Sequence, residues 1–233
     1  MSHIIGQGQC ATCKIRHLSI FAELEDVLNE DIGSFRPSVM VFDTAETVYR
    51  QQVTANNAFT LRKGVVKLIK MLPNGRSQII RLLRKGDLFG FDGFAGEAYN
   101  HTAIAVTNIE VCRLPLNELM ALKKKNPEIE QAMMLRWIRS LREAEDMMLE
   151  LGAKKAPERL ASFLFKWCGE SGSWQELPLS RLEMGELLGL TIETVSRFLS
   201  DWKRKGLINE SRGSIQIADA ASLRELVCMN GSC

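Results

Sequence analysis

The chain has 233 residues, of which 45% are hydrophobic and 25% charged, the balance of an ordinary globular protein and not of a disordered chain or coiled-coil fibre. Its formal net charge of +2 is too small to draw a polyanion to the whole surface, so nucleic-acid binding would need a local arrangement of Lys and Arg. No apolar run approaches the roughly 20 residues of a membrane span, and residues 1–10 lack the basic and apolar stretches of a signal peptide, so a cytoplasmic protein without a membrane partner is expected.

Six cysteines fall at irregular intervals, at Cys10, Cys13, Cys112, Cys168, Cys228 and Cys233. A chain of this size needs no disulfide staples, and a disulfide scaffold is not expected. Only the close pair Cys10-Ala-Thr-Cys13 suggests chemistry. From about residue 38 to 114, short apolar runs alternate with turn signals at Gly64, Pro73-Asn74-Gly75 and Lys85-Gly86-Asp87, the pattern of a compact antiparallel β-domain. Residues 65–69 and 78–82 flank Pro73-Asn74-Gly75, which predicts a hairpin there.

After Pro127 the spacing becomes helical. Met134, Trp137, Leu141, Ala144, Met148 and Leu151 alternate three and four residues apart, a single seam narrower than the stripe a globular helix usually buries. Surrounded by Arg136, Arg139, Arg142, Glu143 and Glu145, the seam suits pairing with an identical helix, the alternative being packing onto the β-domain. Its centre carries no charge to oppose pairing, so dimerisation without an effector is expected. Gly152 ends this helix and Pro157 suits the first turn of the next. The chain therefore divides into residues 1–126, an N-terminal segment and β-domain; 127–153, the long helix; and 154–233, three or four helical stretches with a short hairpin around Arg212-Gly213-Ser214.

In this last part Ser180 and Glu183 have capping-box spacing, and Leu182, Leu187 and Leu188 continue a short amphipathic helix to Gly189. A second helix begins almost at once, with Thr191 as N-cap and Val195, Phe198, Leu199 and Trp202 as its buried face. Glu193, Ser196 and Arg197 fall at i, i+3 and i+4 on one side of its first two turns, the layout of a recognition helix. There Arg can bond the O6 and N7 of guanine and Glu can accept from the N4 of cytosine. The blander alternative is an exposed Glu193–Arg197 pair worth a few tenths of a kcal/mol, that is about 0.3. Against it stand the basic run Lys203-Arg204-Lys205 and the hairpin carrying Arg212 at its tip, a winged arrangement able to hold phosphates. Ser180, Thr191, Thr194, Lys203 and Arg212 are the candidate contacts to the DNA backbone.

Gly189-Leu-Thr-Ile-Glu-Thr-Val-Ser-Arg197, preceded by Glu158-Arg-Leu-Ala-Ser-Phe163 and Gly86-Asp-Leu-Phe-Gly-Phe91-Asp, resembles the CRP/FNR superfamily of bacterial regulators, and within it the FNR/FixK branch. The resemblance extends over nearly the whole chain. It implies an α+β fold with a cyclic-nucleotide-binding-like β-roll, a long dimerisation helix and a winged helix-turn-helix. It also implies a homodimer on double-stranded DNA with a TTGAT-type inverted repeat, and RNA polymerase as a partner if the protein is an activator. Glu193, Ser196 and Arg197 match the family's base-contacting positions.

The cyclic-AMP branch carries a Glu for the ribose and an Arg-Ser pair for the phosphate where this chain has Phe91 and His101-Thr102. Phe accepts no hydroxyl and neutral His is a poor substitute for a guanidinium, so cyclic AMP is disfavoured. In the FNR branch four thiolates hold a [4Fe-4S] cluster. Cys10, Cys13 and Cys112 match three of them, but the remaining position is Ser19, whose hydroxyl gives up its proton far less readily than a thiol. His17 is a nearby nitrogen donor or simply a surface residue. The expectation is therefore no cofactor, with Cys112 a buried thiol, Cys10 and Cys13 a loose or redox-active pair, Cys168 in a helix core, and Cys228 and Cys233 exposed. FixK-like members of the superfamily are held to dimerise without an effector, in keeping with the uncharged seam. An effector-independent or redox-modulated regulator is the leading reading. The alternatives are an oxygen or nitric oxide sensor with an iron-sulfur cluster or haem, and a thiol-disulfide redox protein. No thioredoxin-like βαβ pattern follows the cysteine pair, and there is neither a nucleophile-base-orienter set nor a phosphate-cradling glycine loop to indicate an enzyme.

Overall fold

The computed structural model describes residues 2–22 and 35–228. Cys233 lies outside the described residues, and of Cys228 only the backbone is described. Contacts gather the chain into two compact units, residues 1–142 and 143–233.

The first unit is built on two antiparallel sheets. One has five strands in the order β1 (His3–Gln7), β2 (Ser38–Phe42), β9 (Ile109–Pro115), β4 (Asn57–Lys63), β7 (Leu88–Phe89). The other has four, in the order β3 (Thr47–Tyr49), β8 (Thr102–Ala105), β5 (Val66–Met71), β6 (Ser77–Leu83). The hairpin expected around Pro73-Asn74-Gly75 is formed by β5 and β6, paired from Val66 with Leu83 to Met71 with Ser77. Strand β9 is covered on both faces, and its pattern follows from the two-residue strand period. Ile109 and Val111 enter one apolar cluster with Phe59, Leu61 and Phe89, while Cys112 and Leu114 enter a second with Ile20, Phe21 and Val39. That second cluster is closed by helix α1 (Leu116–Lys125), through Leu119 and Leu122, and by Ile129 and Met133 of helix α2 (Pro127–Ala153).

Two elements of this unit leave no signal in the sequence. Strand β1 is exposed along its length and holds its place by pairing with β2, so it shows no apolar alternation. Helix α1 is short and separated from α2 only by Asn126, which merges the two periodicities. Helix α2 matches the long helix expected over 127–153, though its residues are shared, those up to Arg142 grouping with the first unit and those from Glu143 with the second. It has two faces. Ile129, Ala132 and Met133 are buried, whereas Met134, Trp137, Leu141 and Met148 are 47–64% exposed, Ala144 is exposed and Leu151 is half-buried.

The second unit runs α3 (Ala156–Cys168), β10 (Gln175–Glu176), α4 (Arg181–Leu188), α5 (Ile192–Arg204), β11 (Ile208–Ser211), β12 (Ser214–Ile217), α6 (Ala220–Cys228). Its core joins Leu160 and Leu164 of α3, Val195, Leu199 and Trp202 of α5, and Ile208, Ile215 and Ile217 of the hairpin, all buried; each such side chain contributes about 1.5–3 kcal/mol. Cys168 is buried in α3 as expected. Strand β10 adds a third member to the expected hairpin, in the order β10-β12-β11, and is only two residues long. Leu182, expected on the buried side of α4, is 55% exposed; Met184 takes that place with Leu187 and Leu188. No helix among the described residues is long and apolar enough to cross a membrane.

Candidate nucleic-acid interface

Helices α4 and α5 are started by the side chains the sequence supplies for that purpose. Ser180 Oγ accepts from the Glu183 N–H at 3.2 Å, and Glu183 Oε2 accepts from the Ser180 N–H at 2.8 Å, a reciprocal capping box. Thr191 Oγ1 accepts from the Thr194 N–H at 3.2 Å and donates to Thr194 Oγ1 at 3.1 Å. Between them the chain turns sharply. A Cβ at Gly185 would lie 2.6 Å from the Leu190 carbonyl oxygen, so only glycine lets the turn close onto α4.

Burial of Val195, Leu199 and Trp202 turns the opposite side of α5 to solvent. Glu193 and Arg197 are exposed and Ser196 half-exposed on its first two turns. The ion pair between Glu193 and Arg197, the blander alternative, is not formed among the described residues. The Arg197 guanidinium instead rests 5.3 Å from the Phe198 ring centre. The Glu193 carboxyl is held below the usual carboxylate range by a backbone N–H at the helix start and then by the Thr191 hydroxyl. It is thus an anion at neutral pH, able to accept from a base amino group.

Ser180, Lys203 and Arg212, three of the expected backbone contacts, come together around one cleft of about 430 Å³, whose rim also includes Arg181 and Glu210. Arg181 Nη2 reaches both Glu210 oxygens, at 3.1 and 3.2 Å. Thr191 and Thr194 are the α5 cap and do not line this cleft. The basic run is partly neutralised, since Arg204 and Lys205 both pair with Asp201. Lys203 has no ion pair among the described residues, so the cation facing the cleft from α5 is available to a phosphate. Sequence reasoning missed Ile192. It is 43% exposed beside Glu193, where an apolar side chain can meet a thymine methyl. Its spacing from Val195 and Leu199 continues the buried stripe, so nothing in the periodicity marks it.

The N-terminal thiols are arranged differently from the expectation. Cys10 is buried in the cluster that also holds Cys112, so it is not part of a loose pair; Cys13 is half-exposed. Burial, and then the proximity of Cys112 and Cys13, pushes the Cys10 thiol up to about 12. Burial raises Cys112 to about 11. A thiol-disulfide oxidoreductase needs the opposite shift on its attacking cysteine. Ser19 is buried with its hydroxyl already committed, donating to the Arg16 carbonyl at 2.8 Å and accepting from the Phe21 N–H at 3.1 Å. Arg136 of α2 clasps the same turn, donating to the carbonyls of Leu18 and, at 3.0 Å, Ser19. His17 is exposed. Residues 1–142 contain no further cysteine, so this donor set does not fit a four-thiolate cluster.

Inside the β-roll the residues standing where a nucleotide phosphate grip is expected are engaged with the protein itself. His101 Nε2 lies 2.7 Å from Tyr49 Oη, and Thr102 Oγ1 accepts from the Gln51 N–H at 2.9 Å. Phe91 packs toward Phe94, ring centres 5.6 Å apart. Burial lowers the His101 pKa, an effect opposed by nearby Asp92.

Comparisons with known proteins match both units. A family profile described as a cyclic nucleotide-binding domain matches residues 39–126, and one described as a Crp-like helix-turn-helix domain matches residues 158–226. The chain is 31% identical to the transcriptional activator protein FnrA of Stutzerimonas stutzeri, over 93% of this chain and 91% of that one. It is 30% identical to the nitrogen fixation regulation protein FixK of Bradyrhizobium diazoefficiens, over 93% of each. The solved structure of FixK2 from Bradyrhizobium japonicum superposes with a TM-score of 0.75 at 29% identity, covering 82% of this chain and 96% of that one.

Proposed function

The chain belongs to the CRP/FNR family of DNA-binding transcription regulators, and from that premise we propose that it is a cytoplasmic activator that binds a TTGAT-type inverted repeat as a homodimer, without cyclic AMP and without a four-thiolate cluster. The observation that carries the reading is the pairing of an exposed Glu193–Ser196–Arg197 edge with a cleft ringed by Ser180, Lys203 and Arg212. The first supplies base contacts, and in the second Lys203 and Arg212 supply phosphate contacts, the Ser180 hydroxyl being donated to Glu183 Oε2 at 2.8 Å. Dimerisation is supported by the exposed seam of α2, and an activating role by the name of the relative FnrA, a transcriptional activator protein; RNA polymerase is then the partner that an activator requires. Cyclic AMP is disfavoured because His101 and Thr102 already have partners, and the cluster because Ser19 stands with a committed hydroxyl where the fourth thiolate belongs.

A second reading, modulation by redox state, is favoured by the gathering of Cys10 and Cys112 near Cys13. One experiment separates the two. The protein is purified without oxygen and titrated against the repeat before and after exposure to air, with iron and acid-labile sulfide assayed on the same sample. Tight binding unchanged by air and without iron supports the effector-independent regulator. Air-sensitive binding without iron supports thiol control, and iron-dependent binding lost in air refutes the absence of a cluster.

A further inference from the structure

One side chain ties the end of the long helix to the turn of the DNA-reading motif. Arg159, in the first turns of α3, is half-buried. Its Nε donates to the Lys154 carbonyl at 2.9 Å and its Nη1 to the Leu188 carbonyl at 3.2 Å. Lys154 lies in the two-residue linker between α2 and α3, and Leu188 is the last residue of α4, four positions before recognition helix α5 begins. A guanidinium at that point also meets the negative end of the α4 dipole. The linker is held a second time by Lys154 Nζ, which donates to Glu150 Oε1 at 2.9 Å and to Ser162 Oγ at 2.8 Å. Lys166 pairs with the same Glu150 oxygen at 3.3 Å. The final turns of α2, the linker, α3 and the end of α4 therefore share one hydrogen-bonded frame. Arg159 does not line the DNA-facing cleft.

We propose that Arg159 is a positioning residue for DNA binding: it fixes recognition helix α5 at a set offset from the end of the dimerisation helix and thereby selects the spacing between half-sites. The inference rests on the dimeric reading above. A single module reads its half-site through base edges, but a dimer reads the distance between half-sites through whatever holds its two modules to their common helix pair. The planar guanidinium, with its donors in a rigid fork, fixes both distance and direction between the two carbonyls, which a lysine ammonium does not. Removing it leaves base discrimination and phosphate contacts in place and loosens only the spacing.

The test uses full-length wild type, Arg159→Lys and Arg159→Gln. Each is titrated against inverted repeats with the spacer the wild type prefers, with spacers one and two base pairs longer and shorter, and against a duplex holding a single half-site. Sedimentation is run on the same samples. The variants are expected to bind the preferred repeat about tenfold more weakly, the size of losing a hydrogen bond from a charged donor, to discriminate little between spacers, and to match wild type on the single half-site. Arg159→Lys keeps the charge at the end of α4, so it reports on the fork even if the Gln variant fails to fold. Variants that keep the wild-type spacer preference, or that lose affinity equally on every duplex including the single half-site, would overturn the proposal. A wild type that sediments as a monomer removes the dimeric reading and the proposal with it, whereas a dimer with spacer preference unaffected by either variant removes the proposal alone.

Discussion

The wing turn offers a substitution whose effects on folding and on DNA binding have opposite signs. Arg212 and Gly213 form the two-residue loop between β11 and β12, with Ser211 paired to Ser214 and φ values of +36° and +77°. Positive φ at both positions is the requirement of a type I′ turn, for which Asn-Gly is the preferred pair. Holding Arg in that region costs about 1 kcal/mol from crowding of its Cβ against the carbonyl. Arg212→Asn is therefore expected to stabilise the second unit by about 0.5–1 kcal/mol, although it removes a cation from the cleft. Each phosphate contact adds about 0.9 to the slope of log affinity against log salt, so a dimer losing two has a slope shallower by about 1.8. Between about 50 and 200 mM salt, the wild type then loses about twelvefold more affinity than the variant. Denaturant unfolding and DNA titrations at several salt concentrations, on the repeat and on a scrambled duplex, measure both effects. An unchanged salt slope, or a loss confined to the repeat, would refute the phosphate contact; lowered stability would refute the strain argument.

Three further outcomes follow from the same geometry. Leu141, exposed on the seam, can be changed to Glu with little effect on the fold of one protomer, but two facing charges should weaken the dimer at least about tenfold by sedimentation; an intact dimer would place the interface elsewhere. Burial lowers the His101 pKa from 6.5, so below that value the unfolded chain binds a proton that the folded one resists, and stability present at neutral pH is lost as pH falls. His101→Gln should flatten the dependence of Tm on pH between about pH 7 and 5, and parallel wild-type and variant curves would contradict this. With Cys10 at about 12 and Cys112 at about 11, only about one in 10⁴ and one in 10³ of these groups are thiolate at pH 8. Half-exposed Cys13 should be alkylated first of the three by iodoacetamide, as read by peptide mass spectrometry, and equally fast labelling of Cys10 would show that its burial is wrong.

What the sequence disclosed was the structure that local chemistry determines. The Ser180–Glu183 box, the Thr191 cap and the spacing of Val195, Leu199 and Trp202 define the helix-turn-helix within a window of 23 residues, from 180 to 202, and each interaction spans four residues or fewer. The β5–β6 hairpin was equally readable from its turn. Features that depend on distant partners were not. Strand β1 exists because β2 offers an edge, and Cys10 is buried because β9 and the Ile20–Phe21 turn converge on it. Ile192 lies on an apparently buried stripe but sits on the first turn of α5, beyond the reach of the core. The union of Ser180, Lys203 and Arg212 around one cleft likewise depends on how α4, α5 and the wing pack, although each residue was a candidate on its own.

The most direct test of the central claim is the binding of wild type and Arg197→Ala to the TTGAT-type repeat and to the same repeat with its guanines replaced. Wild type should lose about 1–3 kcal/mol on replacement, and the variant, already weakened on the repeat, should lose nothing more. A variant that still discriminates at guanine, or that weakens equally on the repeat and on random DNA, would show that Arg197 does not read the sequence and that the assigned recognition surface is wrong.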